Sequence, residues 1–523
     1  MYFSLRESPS SHSILRRGIR SVLPACLLLV LAACGGGGGG GDNNPPPAPP
    51  ATNTAPSVSA GADATATLPN ATVSLSGSAQ DDGPATSLVY TWTSSNAAAT
   101  TFSAPSAAAT NATFNAAGTY TLTLTVSDGT LSSSDSLVVT VSDAPPPAGE
   151  VWPAADDDTD LTFHGWAKVD ASAVGMDQTK LNDAATIAQT VPAGPQADSG
   201  SGMIVRHGQL VHLWGDIDKR KEVKSVTKSM GGIVLGLAID DAKVTLATKG
   251  VDIMPTFGTP PAGNAAAAQS ITIAQLATHT AGFRKQDGDF TTDPAPIEFT
   301  PGTTWSYSDA GLNWLADVLT TANQQDLNAI ANARVWSVLG LNMKNGVANG
   351  DDIFWQANGF RPPTRDGGTI QFRELASGIQ ANTNAMARVG LLFLRKGMWN
   401  GQRVVSEAFV QQAHTPLPEN AGLVLNQPPG FNFPGATTDY GVLWWTNVSH
   451  RMANVPADAY WAWGLGEALI VVIPSLDLVI VRNGGQSPAN SSPGVRAWND
   501  DKWDGDVAVL EPFLNPIVQG TSP

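Results

Sequence analysis

Ser225 and Lys228 stand three residues apart in Lys224-Ser225-Val226-Thr227-Lys228-Ser229-Met230, and no other Ser-x-x-Lys occurs in the chain. On a helix, residues three apart share a face, so an amine at 228 reaches under a hydroxyl at 225. The stretch that follows, Gly231 to Asp240, is almost uninterruptedly apolar and reads as a helix buried on most sides. Burial disfavours an ammonium, so a lysine there can accept a proton near neutral pH. The first helical turn also leaves backbone N–H groups unpaired, which favours a developing oxyanion beside the hydroxyl. These are the parts of a Ser–Lys acyl-transfer nucleophile. So short a pattern also arises by chance; the apolar helix behind it is what favours chemistry.

Competing chemistries find less support. The chain has no Gly-x-Ser-x-Gly, which disfavours an α/β-hydrolase. His207 and His212 have no cysteine at ligand spacing, so a zinc site is not expected. Neither a metal nor a cofactor is called for. The pair Trp444-Trp445 could line a pocket, although one of two adjacent strand residues faces the core.

With 523 residues the chain is long enough for two or three domains and a large core. Acidic residues outnumber basic ones, 45 to 29, and the formal net charge is −16. Nucleic acid and anionic membrane surfaces are therefore not expected as main partners. The two cysteines, Cys26 and Cys34, both precede any folding pattern. Arg16, Arg17 and Arg20 lead into an apolar run, Val22 to Ala33, of signal-peptide length and too short to span a bilayer. Its end, Leu31-Ala32-Ala33-Cys34, resembles the bacterial lipoprotein signal. That resemblance implies removal of residues 1–33, Cys26 included, and lipid on Cys34. The plain alternative is an ordinary signal peptide with an incidental cysteine. A lipidated Cys34 would hold the protein on a membrane of the cell envelope, on the periplasmic or surface side of an outer membrane in the favoured reading.

Residues 34–54, a glycine tract followed by prolines, read as a tether. Between residues 55 and 142 the texture is all-β. Tyr120, Leu122, Leu124 and Val126 alternate with threonines, and Leu137, Val139 and Val141 alternate again, the period of half-buried strands. Thr72 to Gly77 and Leu88 to Trp92 read as further strands of a small sandwich. Residues 143–150 are a proline-rich linker, beyond which lie fourteen of the 15 tryptophans. The remainder, 151–523, reads as one large α+β domain. It has a hairpin around Arg206-His207-Gly208-Gln209, the Ser225 helix, a helix over Ala310 to Thr321, another with Thr383 as its N-cap, and apolar strands Ala468–Ile473 and Leu476–Arg482. An antiparallel sheet covered by helices follows from that order.

Two resemblances sharpen this reading. Tyr90-Thr91-Trp92 and Gly118 through Gly129 resemble the polycystic-kidney-disease (PKD) type of immunoglobulin-like module, which implies a spacer, with cell-wall or glycan contact as the alternative. The large domain resembles the serine β-lactamase-like hydrolases: penicillin-binding proteins, class C β-lactamases, family VIII esterases and 6-aminohexanoate-dimer hydrolases. Ser225-Val226-Thr227-Lys228, Leu276-Ala277-Thr278-His279-Thr280-Ala281-Gly282, Tyr307-Ser308-Asp309, Gly378 through Leu394, Tyr440 through Trp445, and Ala462 through Arg482 carry it.

The resemblance implies a sheet of about five antiparallel strands, a helical region and a site between them. In it Ser225 is the nucleophile and Lys228 its base. Tyr307 carries protons to and from the leaving group, with a pKa lowered by neighbouring cations. Backbone N–H groups of Ser225 and of the strand near Gly466 bind the oxyanion, glycines at 464 and 466 letting the chain approach a small-molecule substrate. His279 takes a structural place. Two departures stand out. Asp309 replaces an asparagine, and Trp463-Gly464-Leu465-Gly466 replaces the Lys-Thr-Gly that would hold a β-lactam carboxylate. They imply an ester or a non-β-lactam amide as substrate and a more apolar acyl pocket at Trp463. The alternatives are a peptidoglycan (D-amino-acid) peptidase or weak β-lactamase, and a catalytically silent envelope binding protein.

Overall fold

The computed structural model describes residues 53–68, 71–83, 88–142, 150–156, 163–189, 200–258, 265–283, 296–343, 352–357, 369–426, 433–484 and 507–522. The signal, Cys34, and the tether but for its last two residues lie outside these, as does the linker apart from residue 150. Among the described residues no helix is long and apolar enough to cross a membrane.

The N-terminal unit is the expected sandwich. One sheet orders Ala64–Thr67, Ser132–Ser142, Gly118–Ser127 and Val89–Ser94; the other orders Thr72–Ser76, Ala109–Phe114 and Thr100–Phe102. The alternating residues Tyr120, Leu122, Leu124, Val126, Leu137, Val139 and Val141 point inward onto Trp92 and Phe114, as period two requires. The Tyr120 hydroxyl donates to the Ala116 carbonyl at 2.7 Å.

The large unit is built on a six-stranded antiparallel sheet, one strand more than expected. Its strands are β1 (Ser201–Arg206), β2 (Gln209–Trp214), β3 (Trp445–Thr446), β4 (Tyr460–Gly464), β5 (Ala468–Ile473) and β6 (Leu478–Asn483). Across the sheet they run β2-β1-β6-β5-β4-β3. The hairpin turn falls at His207 and Gly208, both at positive φ, as a tight two-residue turn demands. The β5 strand is apolar throughout and β6 is apolar up to Arg482 and Asn483, because both faces are covered. Ile470, Val472, Val479 and Val481 pack beneath helices α2 (Val226–Gly231), α3 (Ile233–Asp240) and α5 (Thr383–Leu394). Leu469, Val471, Leu478 and Ile480 pack with α1 (Gln178–Gln189) and α6 (Glu511–Gln519). Gly390 seats α5 on the sheet: a Cβ there would lie 2.4 Å from the Val479 Cγ1.

Two local expectations shift. The apolar stretch after Ser225 is two helices, broken at Gly232, where a Cβ would meet the Leu443 side chain at 2.6 Å. The cap of α5 is Asn382, whose side chain accepts the Ala385 N–H at 2.8 Å, with Thr383 as first helical residue. The fourth long helix, α4 (Asp309–Asn323), is capped by Ser308, whose hydroxyl accepts the Gly311 N–H at 3.1 Å.

Candidate active site

Ser225 caps the start of α2. Lys224, just before it, is held at φ 51°, a left-handed conformation a non-glycine residue adopts only where its surroundings impose it. The surroundings are a short strand, Lys221–Glu222, paired with Ile379–Ala381. Beyond it the Val223 N–H donates to the Ile379 carbonyl at 3.0 Å, and the Thr227 hydroxyl accepts the Ile379 N–H at 3.0 Å. The chain therefore turns sharply and presents Ser225 part-exposed, over a fully covered α2.

Lys228 lies one turn on and is 2% exposed. Its Nζ donates to Ser225 Oγ at 2.9 Å, to Asp309 Oδ1 at 2.8 Å and to the Ala376 carbonyl at 2.8 Å. An ammonium has three N–H donors, so these three acceptors match it. Burial pulls the Lys228 amine below the ordinary lysine value, and the charge and hydrogen bond of Asp309 work against that pull. The Asp309 carboxylate stands in the first turn of α4, where the helix dipole favours negative charge.

Tyr307 donates its hydroxyl to Ser225 Oγ at 2.8 Å. Its ring is stacked between His279, centroids 4.4 Å apart, and Phe433, 5.1 Å apart. The Lys228 ammonium lies 4.9 Å from the same ring. The expectation of a lowered phenol pKa does not hold. Burial drives it well above the ordinary value, Asp309 adds to the rise, and the Ser225 hydrogen bond only partly opposes it. Tyr307 is therefore a neutral phenol, a proton donor rather than a standing phenolate. His279 holds this segment in place: its Nδ1 accepts the Ser308 N–H at 3.1 Å and its carbonyl accepts the Ser306 N–H at 2.9 Å.

The fourth side of the site is the end of β4. Its neighbour β3 pairs with Tyr460 and Trp461, and the strand continues past that pairing toward Ser225. A Cβ on Gly464 would lie 2.4 Å from the Val223 carbonyl and 3.2 Å from the amide nitrogens of Ser225 and Val226, so only glycine permits this approach. Gly466 turns the chain at φ 76°. Arg482 braces the turn, donating to the carbonyls of Gly466 and Glu467 at 2.8 Å each. Trp463 is buried and donates its indole N–H to Glu467 at 2.6 Å. Burial pushes the Glu467 carboxyl up to about 7, with Trp463 and Arg482 opposing. Trp445 joins the aromatic cluster of Trp305, Phe433 and Trp463, whereas Trp444 faces the other way, onto Phe393.

The structure thus brings Ser225, Lys228, Tyr307 and Asp309 into one hydrogen-bonded group and sets Gly464 against its backbone. The sequence reading had not singled out the Ala376 carbonyl, Glu374 or Asn313. The Glu374 carboxyl is raised by burial and shares the field of Asp309 and Lys228. Asn313 is a buried amide on an otherwise apolar turn of α4, and that contrast is its one sequence signal.

The β-lactamase family model matches residues 185–500, and a PKD-domain model of the K319L-like type matches residues 60–141. No curated protein matches. Among solved structures the chain is similar to a candidate β-lactamase of Bacteroides dorei (15% identity, TM-score 0.48, covering 66% of this chain and 99% of that one). It is also similar to a candidate 6-aminohexanoate-dimer hydrolase of Bacillus anthracis (16%, 0.45, 62% and 79%). EstA of Arthrobacter nitroguajacolicus is a third (18%, 0.43, 62% and 93%).

Proposed function

Because the chain belongs to the β-lactamase family of serine hydrolases, we propose that it cleaves an ester or a non-β-lactam amide of a small substrate through an acyl-enzyme on Ser225. The observation that carries this is the part-exposed Ser225, whose hydroxyl oxygen is flanked at 2.9 Å by Lys228 Nζ and at 2.8 Å by the Tyr307 hydroxyl.

In its neutral form Lys228 keeps two N–H groups for Asp309 and Ala376 and turns its lone pair to the Ser225 hydroxyl. It takes that proton as Oγ attacks the acyl carbon. The oxyanion forms against the Ser225 N–H and the end of β4, where an aimed backbone donor is worth about 3 kcal/mol. As the bond to the leaving group breaks, Tyr307 gives its proton to that group. The Lys228 ammonium restores the phenol in the same movement, since a free phenolate is costly in this buried place. Water then enters where the leaving group departed, loses its proton along the same path in reverse, and releases the acid.

Trp463-Gly464-Leu465-Gly466 stands where the resemblance has the Lys-Thr-Gly that would hold a substrate carboxylate, which supports a neutral acyl group over a penicillin. A silent binding protein is the second reading, favoured by the 2.8 Å Lys228–Asp309 pair, which tends to keep the amine charged.

The test is turnover of p-nitrophenyl acetate and butyrate, with fluorophosphonate labelling, by wild type, Ser225→Ala and Lys228→Ala. We expect labelling of Ser225 and loss of turnover in both variants. An unlabelled, inactive wild type sinks the proposal and leaves the silent reading. Acylation by a fluorescent penicillin would redirect it to β-lactams or peptidoglycan peptides. The same proposal places the protein on an envelope membrane through lipid on Cys34, with the sandwich as spacer; a Cys34→Ala protein that stayed with the membrane fraction would refute the anchor.

A further inference from the structure

Lys228 has two fixed acceptors besides Ser225, and one of them, the Ala376 carbonyl, is a backbone group on a loop 148 residues away in sequence. The two peptides that lead into that carbonyl are tied by one buried side chain, while the Glu374 carbonyl of the first accepts from Trp355 Nε1 at 2.8 Å and from the Gly378 N–H at 3.2 Å. Asn313 Oδ1 accepts the N–H of Leu375 at 3.2 Å and of Ala376 at 3.3 Å. Asn313 is 4% exposed and sits four residues after Asp309 on α4, hence on the same helix face. One face of one helix therefore governs both acceptors, Asp309 directly and Ala376 through Asn313.

We propose that Asn313 is a positioning residue for the Lys228 base. By fixing the Ala376 carbonyl it aims the amine at Ser225 and helps set how readily that amine gains a proton. This rests on the Ser–Lys reading above. The sign follows from hydrogen bonding. The carbonyl accepts from ammonium more strongly than from amine, so losing it lowers the basicity of Lys228. It also frees the amine to rotate, and small misplacements of a reacting group are costly in rate.

The experiment compares full-length wild type, Asn313→Leu and Asn313→Asp by pH profiles of kcat on p-nitrophenyl butyrate. Active enzyme is counted by fluorophosphonate titration, and folding is followed by circular dichroism. For Asn313→Leu we expect kcat per labelled site to fall about 10–100-fold and the acid limb to move to lower pH. Asn313→Asp keeps an oxygen acceptor, so it should recover most of that loss. Its added carboxylate near Lys228 should move the limb to higher pH.

A merely structural role would lower yield and melting temperature and leave kcat per labelled site and the limb where they are; that result overturns the proposal. If Asn313→Leu does not fold, Asn313→Asp decides alone: an upward limb supports the role and an unmoved limb overturns it. A wild type that neither labels nor turns over overturns the nucleophile reading and this role with it. A labelled, active wild type with unresponsive Asn313 variants overturns only the role of Asn313.

Discussion

At the scale of single residues, the chemistry turns on one amine pulled two ways. Burial lowers the proton affinity of Lys228, and Asp309 raises it. An aspartate at this position thus keeps the base charged to higher pH than an amide would. Exchanging Asp309 for Asn removes a negative charge 2.8 Å from Nζ and leaves a carbonyl oxygen able to accept the same hydrogen bond. The amine should then lose its proton at lower pH. We expect the acid limb of kcat/KM for Asp309→Asn to move downward, with more activity than wild type below neutrality; an unmoved limb would mean that Lys228 is not the titrating base. Tyr307 makes a complementary case. Its ring is held by His279 and Phe433, so Tyr307→Phe should keep the stack and the fold. Removing the hydroxyl should cost kcat about 10²–10⁴-fold, the usual worth of a positioned proton donor. Equal kcat in the phenylalanine variant would remove Tyr307 from the proton path.

At the scale of elements, the question is how closely backbones approach. The end of β4 reaches the Ser225 turn because Gly464 has no side chain. In Gly464→Ala the new methyl meets the Val223 carbonyl and the Ser225 amide, so strand and turn must part. The overpacking itself costs about 1–3 kcal/mol, but the larger effect should be on the oxyanion donors. We expect kcat per labelled site to fall at least about 10-fold. Gly390→Ala is the control, since its Cβ would meet the Val479 Cγ1 at 2.4 Å, on the sheet beneath α5. It should lose comparable stability and keep kcat per labelled site. If both variants behave alike, Gly464 serves packing and not the oxyanion. These elements also mark how far the sequence could be read. Ser225 and Lys228 were legible from their spacing on a helix, Tyr307 and Asp309 through the resemblance of their motif to the family's, and β5 and most of β6 as apolar runs. The break at Gly232 and the Ala376 carbonyl were not. Each depends on a contact between distant segments that leaves no local pattern: Leu443 against Gly232, a backbone oxygen meeting a side chain. The phenol of Tyr307 was misjudged for a related reason, because its burial between two rings outweighs the neighbouring cation.

At the scale of the whole molecule, sandwich and hydrolase unit each close a core of their own, and the hydrolase unit is further tied by a charge cluster centred on the buried His164. His164 bonds Asp156 through Nδ1 at 2.5 Å and Asp218 through Nε2. Asp156 also accepts from Asn384 of α5 at 2.9 Å, and Arg388 of α5 donates to the carbonyls of Ala154 and His164 at 2.6 Å each. The segment ahead of α1 is thereby strapped onto the helix that covers the sheet. Burial alone would depress the imidazole, but the two carboxylates outweigh it and raise it to about 9. In the unfolded chain an imidazole titrates near 6.5. The folded state therefore holds a proton that the unfolded state has released between these values, so stability falls as pH rises through that window. Glu467, raised by burial to about 7, gives a slope of the same sign that is spent by then. Lys228, whose amine burial lowers, gives a slope of opposite sign, which wild type and a His164 variant share. His164→Gln should melt lower than wild type at pH 7.5, and the gap should close toward pH 9, because a neutral amide has no proton to lose. Thermal melts followed by circular dichroism at half-unit steps decide it: a gap that stays constant from pH 7.5 to 9 would place the strap's stability in its uncharged packing instead.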